Sequence, residues 1–300
     1  MFKFKLILPM IALSFFAMSI HDVLAGDDPI LLLEKSLPTQ TGQKLRVDAF
    51  AGNVKITSWS KNEVEVKIYG NTECRDNMEF DIGSDASGVK VNASKKTDVK
   101  NLKNISLKIE INAPLDYSVK VSTGGGNVTL TDQNGTVDIS TMGGNVSLGK
   151  ITGDIDISTA GGNISVDQNT GMLKVSTAGG NINAKSFDGD VDASTAGGNI
   201  KLEGSNGKID GSTAGGNISL NYSGKNHGID LSTMAGQISL DLPADIDADA
   251  DLSTMTGRIK CDFYSGEGKK NFSNLQTKIN NGGEPLKCST MAGDIRISKK

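Results

Sequence analysis

From Val119 onward the apolar residues fall on alternate positions, in short pairs separated by glycine and small polar residues. One pair follows an asparagine: Val128 and Leu130, Val146 and Leu148, Ile164 and Val166, Ile200 and Leu202, Ile218 and Leu220. The other precedes a Ser-Thr step: Val137 and Ile139, Ile155 and Ile157, Leu173 and Val175, Ile229 and Leu231. Alternation in runs this short and this rich in β-branched residues predicts strands with one buried face. Glycines mark the corners between them, as at Gly161, Gly162 and Gly171.

The pairs belong to an internal repeat. Ser-Thr steps occur at Ser122, Ser140, Ser158, Ser176, Ser194, Ser212, Ser232, Ser253 and Ser289, at intervals of 18 five times and then 20, 21 and 36. Four consecutive copies read Ser-Thr-Ala-Gly-Gly-Asn-Ile, beginning at Ser158, Ser176, Ser194 and Ser212. Two short strands and two glycine corners per 18 residues predict an all-β fold, a parallel β-solenoid with one coil per repeat and roughly nine coils. Stacking at ~4.8 Å would make a rod of roughly 43 Å. Identical residues then form columns. Asn127, Asn145, Asn163, Asn181, Asn199 and Asn217 are expected to form a structural ladder at one corner, bonded coil to coil. Threonine shares the parity of the apolar pair and should point inward. The 36-residue interval predicts a degenerate coil or a long loop around Asn271 to Gly283. The basic end, Arg296 with Lys299 and Lys300, is expected to blunt the last strand edge.

Residues 26–121 carry a different pattern. Gly52-Asn53-Val54-Lys55-Ile56 reads as an imperfect first coil. The longer runs Val64–Ile68, Val89–Val91 and Ile105–Ile111 read as antiparallel strands, ended by Pro114. A solenoid needs its open end covered, so this region is expected to be an N-terminal β cap, with the repeat solenoid over 122–300. Residues 1–25 read as a signal peptide: Lys3 and Lys5, an apolar run from Leu6 to Ile20, and Val23-Leu24-Ala25 as cleavage site. The expected mature chain is exported to periplasm, cell surface or exterior, without a transmembrane anchor.

Composition narrows the function classes. The 300 residues include 36 glycines but one tryptophan, and the net charge is −4, which gives no footprint for a nucleic-acid partner. Two histidines and three cysteines are too few for the common zinc, haem or iron–sulfur ligand sets.

Three stretches carry a family resemblance: Gly52-Asn53-Val54-Lys55-Ile56 with Trp59 and Val64-Glu65-Val66; Ile109-Glu110-Ile111-Asn112-Ala113-Pro114 leading into Val119-Lys120-Val121-Ser122-Thr123; and the Gly-Asn-Ile repeats. In these the chain resembles the bacterial putative-adhesin family, a β-strand-repeat domain of unknown function. The resemblance implies a β-solenoid and an envelope or surface location, and transfers no catalytic residues.

Two residue groups could carry chemistry. Cys261 and Cys288 take core positions on facing strands, which suits either a disulfide or two buried thiols; Cys74 is left over. Asp138, Asp156, Asp192, Asp210, Asp230 and Asp251 share one outward position, with Asp154, Asp190 and Asp249 beside it. Stacked like charges repel, so the column is either a solvated acidic face relieved by lysines or a calcium site, with Asp210, Asp230, Asp249 and Asp251 as ligand candidates. Paired carboxylates on a β-helix could also cleave polysaccharide. A repeated column is the opposite of the singular constellation that catalysis needs, so the expectation is a non-enzymatic protein without an obligatory cofactor. Its regular face would bind a surface or envelope ligand, glycan or protein.

Overall fold

The computed structural model describes residues 29–99, 102, 104–266, 268–271 and 273–300. The signal peptide assigned to residues 1–25 lies outside them. Among the described residues no helix is long and apolar enough to cross a membrane.

Each 18-residue repeat contributes one strand to each of two facing sheets, each of fourteen strands. Val137–Thr141 lies in one sheet and Val146–Thr152 in the other, and the next repeat lies parallel to both, 18 residues on. The register is that of the repeat: Val137 stands beside Ile155, Leu173 beside Val191, Val146 beside Ile164. The inward residues of both sheets are essentially solvent-free and form one continuous core. Few large side chains are needed, because two strand layers about 10 Å apart are filled mainly by Ile, Leu and Val, with Tyr117, Phe187 and Tyr222 among the few large buried rings. The threonines of the Ser-Thr steps turn inward, as parity requires, and are buried. Each needs a partner there. Thr195 Oγ1 donates to the Gly180 carbonyl at 2.9 Å and accepts from the Gly198 amide at 3.2 Å.

Glycine is obligatory where the chain turns against the coil before it. A Cβ on Gly198 would lie 1.9 Å from the Gly180 carbonyl oxygen. Gly171 at the opposite corner has φ +131°, in the region where a side chain strains the backbone.

At both ends the spatial order of the coils departs from their order in the chain. The last strands, Pro285–Ala292 and Ile295–Lys299, are not at the edge. Pro285–Ala292 lies between Ile229–Ala235 and Ala248–Thr256, parallel to both. Ile295–Lys299 likewise lies between Ile238–Leu242 and Ile259–Cys261. The final coil is thus intercalated between two that precede it. Residues 243–247 step across the place it fills, and Asn280 Nδ2 holds that step through the carbonyls of Ala244 (3.2 Å) and Ile246 (2.7 Å). The long interval is therefore no degenerate coil. It carries Asn274–Ile279, antiparallel to Ala248–Thr256, and then the return into the stack. The basic C-terminus does not blunt an edge: Arg296 and Lys299 sit on an interior strand, and Ile259–Cys261 is the terminal one in that sheet.

The other end repeats the arrangement. Lys44–Ala49 and Asn53–Trp59 lie between the later strands Gly88–Lys95 and Leu107–Pro114 on one side and Ser118–Thr123 and Val128–Leu130 on the other. Residues 115–117 step across this coil. Gln133, fully buried, places its Nε2 2.5–2.8 Å from the carbonyls of Pro114, Leu115 and Tyr117. Glu63–Gly70 runs antiparallel to Leu107–Pro114, and Met78–Asp85 antiparallel to Gly88–Lys95. The strands around Val89 and Ile109 are therefore of mixed pairing: antiparallel outward, parallel inward.

Candidate binding surface

Because every coil has the same register, each outward position becomes a column. In the sheet that holds Val137–Thr141, the serines of the Ser-Thr steps stand side by side from Ser122 to Ser212, then Ser232, Ser289 and Ser253. Two residues upstream runs a charged column: Lys90, Arg46, Lys120, Asp138, Asp156, Lys174, Asp192, Asp210, Asp230, Lys287 and Asp251 in spatial order. The facing sheet presents Thr129, Ser147, Ser165, Asn183, Lys201, Ser219 and Ser239 in the same way. Both faces are polar and repetitive.

Opposite charges are interleaved along the charged column. Lys120 pairs with Asp138, and Lys174 Nζ lies 3.9 Å from Asp156. Lys208, one coil corner away, reaches Asp210 at 2.7 Å, and that bond raises the lysine's pKa. The four aspartates considered for calcium do not converge. Asp210 and Asp230 are neighbours, but Lys287 of the intercalated coil stands between Asp230 and Asp251. Asp249 is paired across the antiparallel edge with Lys278. Among the described residues no group of three or more His, Cys, Asp or Glu is placed to hold a metal ion.

Two of the aspartates beside the column have a structural role. Asp154 accepts from the Met172 amide at 3.0 Å, and Asp190 from the Lys208 amide at 2.9 Å, each from one coil to the next. The asparagine ladder does the same at the other corner. Asn127, Asn145, Asn163, Asn181 and Asn199 each accept, through Oδ1, the backbone N–H of the next asparagine at 2.8–2.9 Å. The ladder is longer than the repeat suggested: Asn53 accepts from the Asn127 backbone N–H, and Asn217 from that of Gln237. These side chains are committed to coil stacking.

Cys288 faces the core beside Leu231 and Leu252, and burial pushes its thiol far above the ordinary range. Cys261 takes the core position beside Ile297 in the opposite sheet. Among the described residues no disulfide is formed. His227 lies in the turn that Asn226 fixes by donating to the Glu284 carbonyl at 2.7 Å.

Among curated proteins no sequence matches this chain. Of solved structures, a putative adhesin from Bacteroides fragilis is 14% identical, with a TM-score of 0.47 over 88% of this chain and 96% of that one. A putative lipid binding protein from Parabacteroides distasonis is 13% identical, with a TM-score of 0.47 over 90% and 96% of the two chains. A putative adhesin from Parabacteroides merdae is 10% identical, with a TM-score of 0.40 over 89% and 95%. The family model Toastrack DUF4097 matches residues 42–298, nearly the whole described chain. The chain therefore belongs to the Toastrack DUF4097 family, a domain of unknown function.

Proposed function

We propose that this is an exported, non-enzymatic protein of the bacterial envelope that binds a surface or envelope ligand, glycan or protein, through its repeated faces in the manner of an adhesin. The observation that carries the reading is the serine column, flanked by its interleaved charged column. It repeats one polar motif at one strand spacing along the stack, which suits a ligand that itself repeats. The antiparallel strands at the two ends would serve as caps, leaving the sides for contact. Export rests on the leader-like residues 1–25.

The test is binding of the purified protein to envelope fractions, whole cells and a glycan panel. It is run alongside the double variant Ser194→Arg and Ser212→Arg, which roughens the face without touching the core. The expected result is binding to at least one of these, lost in the variant while its thermal melt is unchanged. Binding to none of them, or equal binding by the variant, overturns the reading. A chain that fractionates with the cytoplasm and still begins at Met1 overturns export.

A further inference from the structure

Among the described residues, five of the nine large apolar side chains that stand exposed share one position in the coil. Phe50, Met142, Met234, Met255 and Met291 all follow the inward residue at the same corner of their coils. The fold does not require bulk there, since the coils between have Ala160, Ala178, Ala196 and Ala214 at that position. At the C-terminal end three methionines stand on three successive coils. In the chain they are separated by 21 and 36 residues. Intercalation of the last coil places Met291 between the other two, because Thr290 and Ala292 pair with Thr233 and Ala235 on one side and with Thr254 and Thr256 on the other. Their exposures are 57% for Met234, 49% for Met291 and 72% for Met255, so no packing holds the thioethers away from one another.

We infer that Met234, Met291 and Met255 form a trigonal thioether site for a soft monovalent cation, Cu(I) or its analogue Ag(I). Adjacent strands set the three Cα atoms at ~4.8 Å intervals, and three rotatable bonds let each sulfur swing to a common point. Thioethers are soft, uncharged donors that select Cu(I) and leave Zn²⁺, Ca²⁺ and Mg²⁺ to nitrogen and oxygen ligands. The immediate surroundings supply none of the latter's preferred charged donors. The corner neighbours are Ser232, Ser289 and Ser253 upstream and Ala235, Ala292 and Thr256 downstream. Met142 lacks this company: its neighbours on the adjoining coils are Gly124 and Ala160. The site is independent of the binding function proposed above.

The experiment is anaerobic titration of the full chain with Cu(I) against a competing chelator, and separately with Ag(I). Variants are Met291→Leu, Met142→Leu and Cys261→Ser. Leucine keeps the apolar volume of an exposed position, so folding is not at stake, and the thermal melt checks this. The expected result is one equivalent bound, sulfur-only coordination by X-ray absorption, and at least about tenfold weaker binding in Met291→Leu. Met142→Leu and Cys261→Ser should bind as the parent does. Undiminished binding in Met291→Leu overturns the proposal, as does loss of binding in Cys261→Ser, which would place the ion on a thiol. Absence of binding by the parent chain overturns it as well.

Discussion

From Val137–Thr141 to Ile218–Ser223, every coil is flanked by the coils that precede and follow it in the chain. Beyond Ile229 that correspondence ends. The last coil is held on both sides, through bonds such as Ile238 N–H to Asp294 C=O and Ile295 N–H to Arg258 C=O, both 3.0 Å. The middle is an extensible stack in which each repeat depends on its nearest neighbours. The C-terminal end is an interlock in which the chain's final segment joins two coils that could not otherwise touch. The inward alternation and the register of the coils are the same in both regions, so the main difference lies in the order of connection.

The largest effect should come from treating the two regions alike. Excising residues 176–193 joins Val175 to Ser194 and leaves every column in register, so the shortened protein should fold and unfold in one transition. Ending the chain after Glu284 removes a comparable length but also the buried Leu286, Cys288, Ile295 and Ile297. Each contributes on the order of 1.5–3 kcal/mol of apolar burial, and two strand edges in each sheet are left facing an empty slot. Urea denaturation followed by circular dichroism should show a cooperative transition for the excision and a lost or split one for the truncation. Equal behaviour of the two would show that the interlock is not a stabilising element.

How much of this contrast was legible beforehand has a physical explanation. Alternation of polarity tells which side chains are buried, and a perfect repeat tells which residues align. Together they foretold the 18-residue coil, the inward threonines and the asparagine ladder. They do not tell which coil lies beside which. Leu231, Cys288 and Leu252 are interchangeable as neighbours, because each coil presents the same small apolar surface to the next. Chain order was the natural assumption, and it placed Arg296 and Lys299 wrongly at an edge. Gln133 and Asn280, which hold the two step-overs, occur once each and carry no periodic signal. Asp154 and Asp190 looked like members of an acidic face because a carboxylate that accepts a backbone N–H is indistinguishable in sequence from one that faces water.

A second contrast concerns the corners of the middle region. Gly198→Ala puts a methyl 1.9 Å from the Gly180 carbonyl and should cost on the order of 1–3 kcal/mol through coil displacement. Its neighbour Gly197 has nothing closer than 3.8 Å, so Gly197→Ala should stay within about 0.5 kcal/mol of the parent. Equilibrium denaturation of the pair checks this. If both cost the same, close approach between coils is not what the glycines serve.

Alkaline pH should distinguish the end from the middle, because the equivalent core positions of the regular coils carry Ile157, Val175 and Ala193, and the last coil carries Cys288. Burial raises the Cys288 thiol pKa above its unfolded value. The stability linked to that proton is complete below about pH 8.5 and falls above it, by about 1.4 kcal/mol per pH unit, as the unfolded chain ionises and the folded one does not. Cys74, also raised by burial, acts in the same direction at the opposite end. Cys288→Val should make the alkaline limb of the stability profile shallower by about one proton. An unchanged slope would mean that the thiol is no better protected in the fold than out of it.

The smallest effect tests whether charge contributes to holding the last coil in place. Lys174 separates Asp156 from Asp192 within the regular stack, and Lys287 separates Asp230 from Asp251 on the intercalated coil. Reversing either sets an acid between two acids, giving an unbroken run of six from Asp138 to Asp230 for Lys174→Glu and of five from Asp192 to Asp251 for Lys287→Glu, and should cost a few tenths to about 1 kcal/mol, most of it removed by high salt. If the column is only a solvated face, the two costs should match, since local geometry is the same. A markedly larger, salt-sensitive loss for Lys287→Glu would mean that the interlock is also electrostatic. In that case the final coil is selected for its slot by a cation that no other coil of the C-terminal end presents at that position, and charge supplies the ordering information that the uniform core lacks.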